Sequence, residues 1–420
     1  MIIVSHPTKI ISADIDLPAS KSVSNRLLVI HFLMGQSFKI NHLSACDDTN
    51  NLQKALAKLA VDLQSNTDQA IVVDIGEAGT SFRFLTAMLA IIPGKFILTG
   101  SKRLLERPIQ PLVDAMQQLG ASISYENKHP GNPLLINHTL MQGGEIELDA
   151  GVSSQFVSAL MLIAPYFKKG LVIKLKGKPV SVAYIVMTMK LMQQFGAEVV
   201  FSAHEIHIKP TNYLLQSSAY TVESDWTAAS YWYAYALLSG QSKIQLKGLY
   251  FNSLQGDRLL ADLFAMYGVQ THFNNQGVII SKGDHNGYID VFDFNDNPDL
   301  VQTFAFMHAA LQLPLQINAA GNLQHKETDR IAALACELKK NGTHLQVKHP
   351  DDMRLIFSSA NHQGMPIFET YQDHRMAMSA SIVGMMKKVG IKHPEVVAKS
   401  YPNFWDHLKI AGFEINEITD

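Results

Sequence analysis

Basic and hydroxyl side chains recur in this chain where helices begin, and such a combination is suited to holding small anions. Ser20-Lys21-Ser22 is followed by Asn25 and Arg26, Gly79-Thr80-Ser81 by Arg83, and Ser153-Ser154 by Gln155. Three later segments open with Ser224-Asp225, Asn297-Pro298-Asp299 and Asp373-His374-Arg375. The first turn of a helix leaves backbone N–H groups unpaired and carries a partial positive charge, so it attracts anions. It also favours Ser, Thr, Asp and Asn as caps, which accounts for Ser224-Asp225. Capping does not account for Lys21, Arg26, Arg83 or Arg375, because the dipole disfavours cations there. Those residues make sense with an anion among them.

A second set falls before a later helix of each repeat: Arg107 in RLLERPI, Ser181 and Tyr184 in KPVSVAYI, Lys326-Glu327-Thr328-Asp329-Arg330, and Lys399 ahead of SYPNFW. Alone, KETDR reads as a solvated first turn with Arg330 paired to an acid at helical spacing. Its position in the repeat matches the other basic residues, however. Lys21, Arg107, Lys326, Arg330, Arg375 and Lys399 are therefore expected to converge on a polyanionic small molecule, concentrating it by their local field.

The elements that must position these residues repeat along the chain. LVDAMQQLGASISY (112–125), MTMKLMQQFGAEVVF (187–201), LLADLFAMYGVQTHF (259–273) and IAALACELKKNGTHLQV (331–347) share a helix-like apolar run, a glycine exit and a strand-like run. A more apolar helix precedes each, as in TSFRFLTAMLAIIPGKFIL and TAASYWYAYALLSGQSKIQL. Six such units, of about 70 residues each, alternate helix with strand and predict an α/β protein. The last unit, from about Tyr371, is short of a strand pair, which the strand-like MIIVSHPTKIISADIDL is expected to supply as an N-terminal hairpin. Units 1–3 then form one domain, residues 20–222, and units 4–6 with the N-terminus the other, residues 1–19 and 223–420.

Composition narrows the function classes. The chain has 420 residues, 47% hydrophobic and 17% charged, enough apolar surface for more than one core. With 35 Lys+Arg against 37 Asp+Glu there is no overall basic field for nucleic acid or an anionic membrane. No secretory leader or membrane-length apolar run is visible, so a soluble, cytoplasmic protein is expected. No P-loop, GxGxxG or HExxH motif occurs, and the 17 His lack metal-ligand spacing. Cys46 reads as a loop thiol beside Asp47-Asp48, and Cys336, in AALACEL, as a core residue.

LPASKSVSNR (17–26), AGTSFR (78–83), ERPIQPLVDA (106–115), VSSQF (152–156), VESDWTAASY (222–231), KETDR (326–330), DHRMAM (373–378) and AKSYPNF (398–404) occur in one order along the chain. Together they resemble the 5-enolpyruvylshikimate-3-phosphate synthase family, over essentially the whole length. The resemblance implies a two-domain inside-out α/β barrel. Each domain has three βαβαββ units in pseudo-threefold arrangement, with the active site in the cleft between them. It implies transfer of the enolpyruvyl group of phosphoenolpyruvate to the 5-hydroxyl of shikimate 3-phosphate, releasing phosphate through a tetrahedral intermediate. By the same resemblance Lys21, Ser22, Arg26, Ser153, Ser154, Gln155, Ser181, Tyr184, Asp299, Asn322 and Lys326 bind shikimate 3-phosphate. Lys21, Gly79, Arg107, Gln155, Arg330, Arg375 and Lys399 bind phosphoenolpyruvate. Asp299 is the candidate base at the hydroxyl and Glu327 the candidate donor at C3, with Lys21 competing for that role. The two small-molecule substrates are the only partners implied, for a monomer that needs no cofactor or metal and is open to the inhibitor glyphosate.

Four positions depart from the family pattern: Glu77 where Asn is usual, Phe84 where Pro is common, Val182-Ala183 for Lys-Pro, and Gln324 for a basic residue. UDP-N-acetylglucosamine enolpyruvyl transferase is the nearest alternative, but its mobile loop carries a cysteine that RLLERPI lacks. RNA 3′-terminal phosphate cyclase would need a nucleotide site and a basic surface. A non-catalytic binder of an anionic metabolite is opposed by the presence of Lys21, Asp299, Glu327 and Arg375.

Overall fold

The computed structural model describes residues 1–65, 69–149, 151, 153–284, 287–357 and 364–418. The chain divides into two compact units, residues 20–222 and residues 1–19 with 223–420.

In the first of these, Ile71–Asp74, Lys95–Thr99, Leu134–Asn137 and Ser122–Tyr125 lie side by side in that order. The first two strands are parallel, the crossover being a helix, and the others antiparallel, joined as a hairpin. Gly144–Asp149, Leu171–Lys176, Glu205–Ile208 and Val199–Ser202 repeat the arrangement. Lys39–Asn41 and Ala219–Thr221 form only a two-stranded parallel pair.

The other unit has three sheets of the same order and directions. They are built on Ile10–Ile15 with Gln241–Lys247, Val291–Asp293 with Gln316–Asn318, and Ile367–Phe368 with Val389–Ile391. The expected N-terminal hairpin is not formed. Ile2–Ser5 sits between Val389–Ile391 and Glu414–Glu417, completing the last repeat. Ile10–Ile15 instead runs parallel to Gln241–Lys247. The reason is strand supply: the last repeat already owns Glu414–Glu417 and needs one strand more. The fourth lacks its opening strand, because Ala219–Thr221, just before it in sequence, pairs with Lys39–Asn41.

Within each unit the first helix of a repeat faces inward. All of Trp226–Leu238 is buried, as its sequence, apolar on every side, requires. Val301–Leu311 packs between it and His374–Ala380, while Gly79–Ile91 packs on Ser154–Ile163. Polar atoms that these helices carry inside are paired: Ser230 with Thr303 of the neighbouring helix at 3.0 Å, Tyr235 with Ser381 at 2.6 Å, and Trp232 Nε1 donating to Tyr401 at 3.2 Å.

His308, near the end of Val301–Leu311, is fully buried. Its Nδ1 faces the carbonyls of Leu313 at 3.3 Å and Pro314 at 3.1 Å, which puts the proton on Nδ1 and leaves Nε2 to accept from the Tyr267 hydroxyl at 2.6 Å. Burial, outweighing those carbonyls, pushes its pKa from 6.5 down to about 4. The unfolded chain therefore takes up this proton first as the pH falls. The contribution to stability is complete above pH 6.5 and is lost, by about 3 kcal/mol, as pH drops toward 4. His308→Gln is expected to remove that part of the acid sensitivity, read as the difference in urea midpoint between about pH 7.5 and about pH 5.

Candidate active site

Each unit gathers its own part of the predicted set. In residues 20–222, Ser20 caps the helix Lys21–Leu33 by accepting from Val23 N–H, which places Lys21, Ser22 and Arg26 on its first two turns. Lys21 Nζ is 2.9 Å from Asp48, both largely shielded from water. Arg26 is buried among neutral partners. Nε donates to Thr188 at 2.7 Å, Nη1 to Ser22 O at 2.9 Å, and Nη2 to Ser158 at 3.2 Å and Tyr184 O at 3.4 Å. Its guanidinium lies 5.3 Å from the Phe84 ring centre and 5.9 Å from that of Tyr184. Burial lowers its pKa to about 10, so it stays cationic at neutral pH. A buried guanidinium whose hydrogen-bond partners are all neutral has charge to offer an anion.

Ser153 caps the helix Ser154–Ile163 by accepting from Gln155 N–H at 3.3 Å, and Ser154 is buried behind it. Gln155 Nε2 then donates to Thr80 at 3.0 Å, tying this helix start to that of Gly79–Ile91. Ser181 precedes the helix Val182–Gln194 with φ 56° and ψ 42° and is buried, and its carbonyl accepts from Tyr184 N–H at 3.1 Å. A serine held in the left-handed region is strained, and such strain collects at binding sites. Arg83, buried, donates to Gly79 O at 2.9 Å and Pro108 O at 2.8 Å, which fastens the loop carrying Arg107 to the helix start. Gly79 leaves room for both guanidiniums to lie close over the helix start. A Cβ there would press on the Arg107 guanidinium and come within 2.8 Å of Arg83 Nη1. Arg107 Nε is itself a buried donor without a hydrogen-bond partner among the described residues.

In the other unit one arginine organises the site. Arg330, at the start of the helix Arg330–Lys339, is 1% exposed and reaches three carboxylates. Nε donates to Asp373 at 2.6 Å, Nη1 to Asp299 at 3.1 Å and Nη2 to Glu327 at 2.9 Å. Burial by itself would lower the Arg330 pKa, but Asp373, Glu327 and Asp299 together hold it above the ordinary value. Asp299 is shared: its other oxygen accepts from Arg375 Nη2 at 2.9 Å. Asp373 caps the helix His374–Ala380 through Arg375 N–H at 2.8 Å, which orients Arg375. Asn322 lies in the turn Gly321–His325, and Lys326 follows it. Burial pushes the Lys326 pKa down, partly offset by the nearby Asp299 charge. Lys399 Nζ donates to Gln372 O at 3.1 Å, next to Asp373.

Several residues of this framework were not anticipated. Asp48, the partner of Lys21, is not among the expected site residues and stands in the first turn of the helix Asp47–Asp62. Cys46, the residue before it, is buried against Thr49 at 3.3 Å rather than a loop thiol. Cys336 is exposed, not core: the buried stripe of its helix runs through Ile331, Ala333, Leu334, Glu337 and Leu338. Ser158 and Thr188, the partners of Arg26, were signalled only as lone hydroxyls in helices otherwise rich in apolar residues.

The chain matches the family model for EPSP synthase (3-phosphoshikimate 1-carboxyvinyltransferase) over residues 5–408. It is 42% identical over 416 residues to a 3-phosphoshikimate 1-carboxyvinyltransferase of Bacteroides fragilis, covering 98% of each chain. One from Photobacterium profundum is 35% identical over 421 residues, with 96% of this chain and 97% of that one aligned. Among solved structures, an EPSP synthase from Acinetobacter baumannii superposes with a TM-score of 0.76 at 19% identity, across 99% of this chain and all of the other. The fold is shared with that structure, and by its sequence the chain belongs to the EPSP synthase (3-phosphoshikimate 1-carboxyvinyltransferase) family.

Proposed function

We propose that these residues carry out the family's reaction with Asp299 as the base. The chain is an enolpyruvyl transferase: it moves the enolpyruvyl group of phosphoenolpyruvate to the 5-hydroxyl of shikimate 3-phosphate and releases phosphate, a step of aromatic amino acid biosynthesis. The observation that carries the assignment of roles is the Asp299 carboxylate, held between Arg330 and Arg375.

Both substrates are polyanions. Arg26, Ser22, Ser153, Ser154, Gln155, Ser181 and Tyr184, with Asn322 and Lys326, hold shikimate 3-phosphate. Arg107, Arg330, Arg375, Lys399, Gln155 and the Gly79 backbone hold phosphoenolpyruvate, and Lys21 serves both. Arg330 and Arg375 exchange Asp299 and Glu327 for the carboxylate and phosphate of phosphoenolpyruvate, while Lys21 exchanges Asp48. That exchange has a chemical consequence. A carboxylate flanked by two guanidiniums is a weak base, and one released from them is a stronger base. Asp299 then accepts the 5-hydroxyl proton as the oxygen attacks C2 of phosphoenolpyruvate, and Glu327, which takes up a proton from water once Arg330 has let it go, delivers that proton to C3. In the tetrahedral adduct the traffic reverses: the Glu327 carboxylate takes a proton back from C3, the C–O bond to phosphate breaks, and the departing phosphate takes the proton held by Asp299. The same reading has the enzyme acting as a monomer in the cytoplasm. Among the described residues no helix is long and apolar enough to cross a membrane.

A coupled assay of phosphate release tests the reading. Release is expected with phosphoenolpyruvate and shikimate 3-phosphate together. Release with UDP-N-acetylglucosamine in place of shikimate 3-phosphate would overturn it.

A further inference from the structure

A buried carboxylate outside the predicted set lies behind Asp299. Asp257 is 5% exposed, and none of the described lysines or arginines forms an ion pair with it. Its two oxygens accept from neutral donors instead, Oδ2 from the Thr227 hydroxyl and Oδ1 from Asn297 Nδ2 at 2.7 Å. Thr227 stands in the first turn of Trp226–Leu238. Asn297, also buried, starts the turn Pro298–Leu300 that carries Asp299, and its carbonyl accepts from Leu300 N–H at 3.1 Å. Two residues before Asp257, Gln255 holds the same helix start from the other side. Its Oε1 accepts from Trp226 N–H at 3.0 Å, and its Nε2 donates to Ser224 O at 2.7 Å. The short segment Gln255–Asp257 therefore clasps one helix start and fixes the turn leading into the next.

We propose that Asp257 is a positioning residue for Asp299, holding Asn297 and with it the Pro298–Leu300 turn so that the Asp299 carboxylate spans Arg330 and Arg375. The proposal rests on the reading of Asp299 as the base. Asn297 Nδ2 is buried and has Asp257 as its acceptor, so this bond holds the entry of the turn independently of the ion pairs that Asp299 itself makes. Stability alone does not ask for a carboxylate here, since an ionised group in a dry site opposes folding. Burial pushes the Asp257 carboxyl up to about 6, opposed by its bonds to Thr227 and Asn297. Of the charged groups acting on it, Asp299 adds to the rise and Arg375 opposes it. Both oxygens act as acceptors, the pattern of the ionised carboxylate.

A double-mutant cycle on the whole enzyme tests this. Asp257→Ala is expected to lower kcat about 10- to 100-fold, the usual result of displacing a catalytic group by a fraction of an ångström to an ångström. In an Asp299→Ala background the same change is expected to cost nothing further, because the group it positions is gone. Asn297→Ala should reproduce the loss, and it serves as the second variant should Asp257→Ala fold poorly by its urea midpoint. Asp257→Asn, which keeps an acceptor for Asn297 and can donate to Thr227, should recover most of kcat. Unchanged kcat in both alanine variants would overturn the proposal, as would a loss that multiplies with that of Asp299→Ala. Near-normal kcat in Asp299→Ala alone would instead remove the base assignment on which the proposal stands.

Discussion

Asp299→Asn lowers kcat by about 10²- to 10⁴-fold, the scale on which a positioned general base contributes. The asparagine keeps the size of the side chain and one oxygen for Arg330 or Arg375, but it cannot take the 5-hydroxyl proton. Two effects act on the binding of phosphoenolpyruvate, and their signs differ. Loss of the carboxylate removes an internal competitor for both guanidiniums, which favours the incoming anion. The amide group, meanwhile, directs two donors toward a cationic cluster. The first effect carries a full charge and is the larger, so KM for phosphoenolpyruvate is expected to fall or stay level while kcat collapses. Steady-state kinetics with each substrate varied in turn checks this. A kcat within a fewfold of the parent would move the base elsewhere, with Glu327 or Lys21 next in line.

Arg330→Leu is expected to be the most damaging single change in residues 223–420. It removes the donor shared by Asp373, Asp299 and Glu327, of which Asp373 is fully buried and Asp299 only 15% exposed in its side chain. Breaking a buried ion pair by deleting one partner costs about 3–5 kcal/mol, because the remaining charge stays in a poorly solvated place. Here three carboxylates stay behind, of which Asp299 keeps its pairing with Arg375. Arg330→Lys keeps the charge but not the fork, and one ammonium cannot span Nε, Nη1 and Nη2 directions at once, so it recovers only part of the loss. Urea unfolding at two pH values separates this from simple cavity formation. Protonating the stranded carboxylates relieves their repulsion, so the destabilisation should shrink in acid; a pH-independent loss would assign it to packing. Activity is expected to be lost in both variants.

Much of this was readable before any coordinates. The repeating units are written in apolar runs of period 3.6 that exit through glycine into strand-like residues, and both signals are local. Lys21, Arg26 and Arg375 stood out because cations at helix starts oppose the dipole, an anomaly that needs only the sequence around it. Asp257 did not stand out. In SLQGDRLL it has the composition of an ordinary turn, and its meaning comes from Asn297, forty residues away, and from burial that no local pattern announces. The destination of Ile10–Ile15 was hidden for a different reason. An alternating strand states which face is buried but not which neighbour it takes, and that choice was decided by Ala219–Thr221 being engaged elsewhere. Cys336 reads as core because AALACEL is apolar apart from Glu337, and only the angle at which the helix lies tells its buried stripe from its outer one.

The placement of Ile2–Ser5 between Val389–Ile391 and Glu414–Glu417 bears on how the molecule is made. These four residues are synthesised nearly four hundred residues before the partners on either side of them. Residues 20–222 can mature during translation, all of their strands being available by then. The other unit holds an unpaired strand until those partners have been made, and closing so long a loop is slow. Until then the apolar Ile2–Ser5 has no sheet to join, and an unpaired strand edge is the kind of surface that chaperones cover and aggregation exploits.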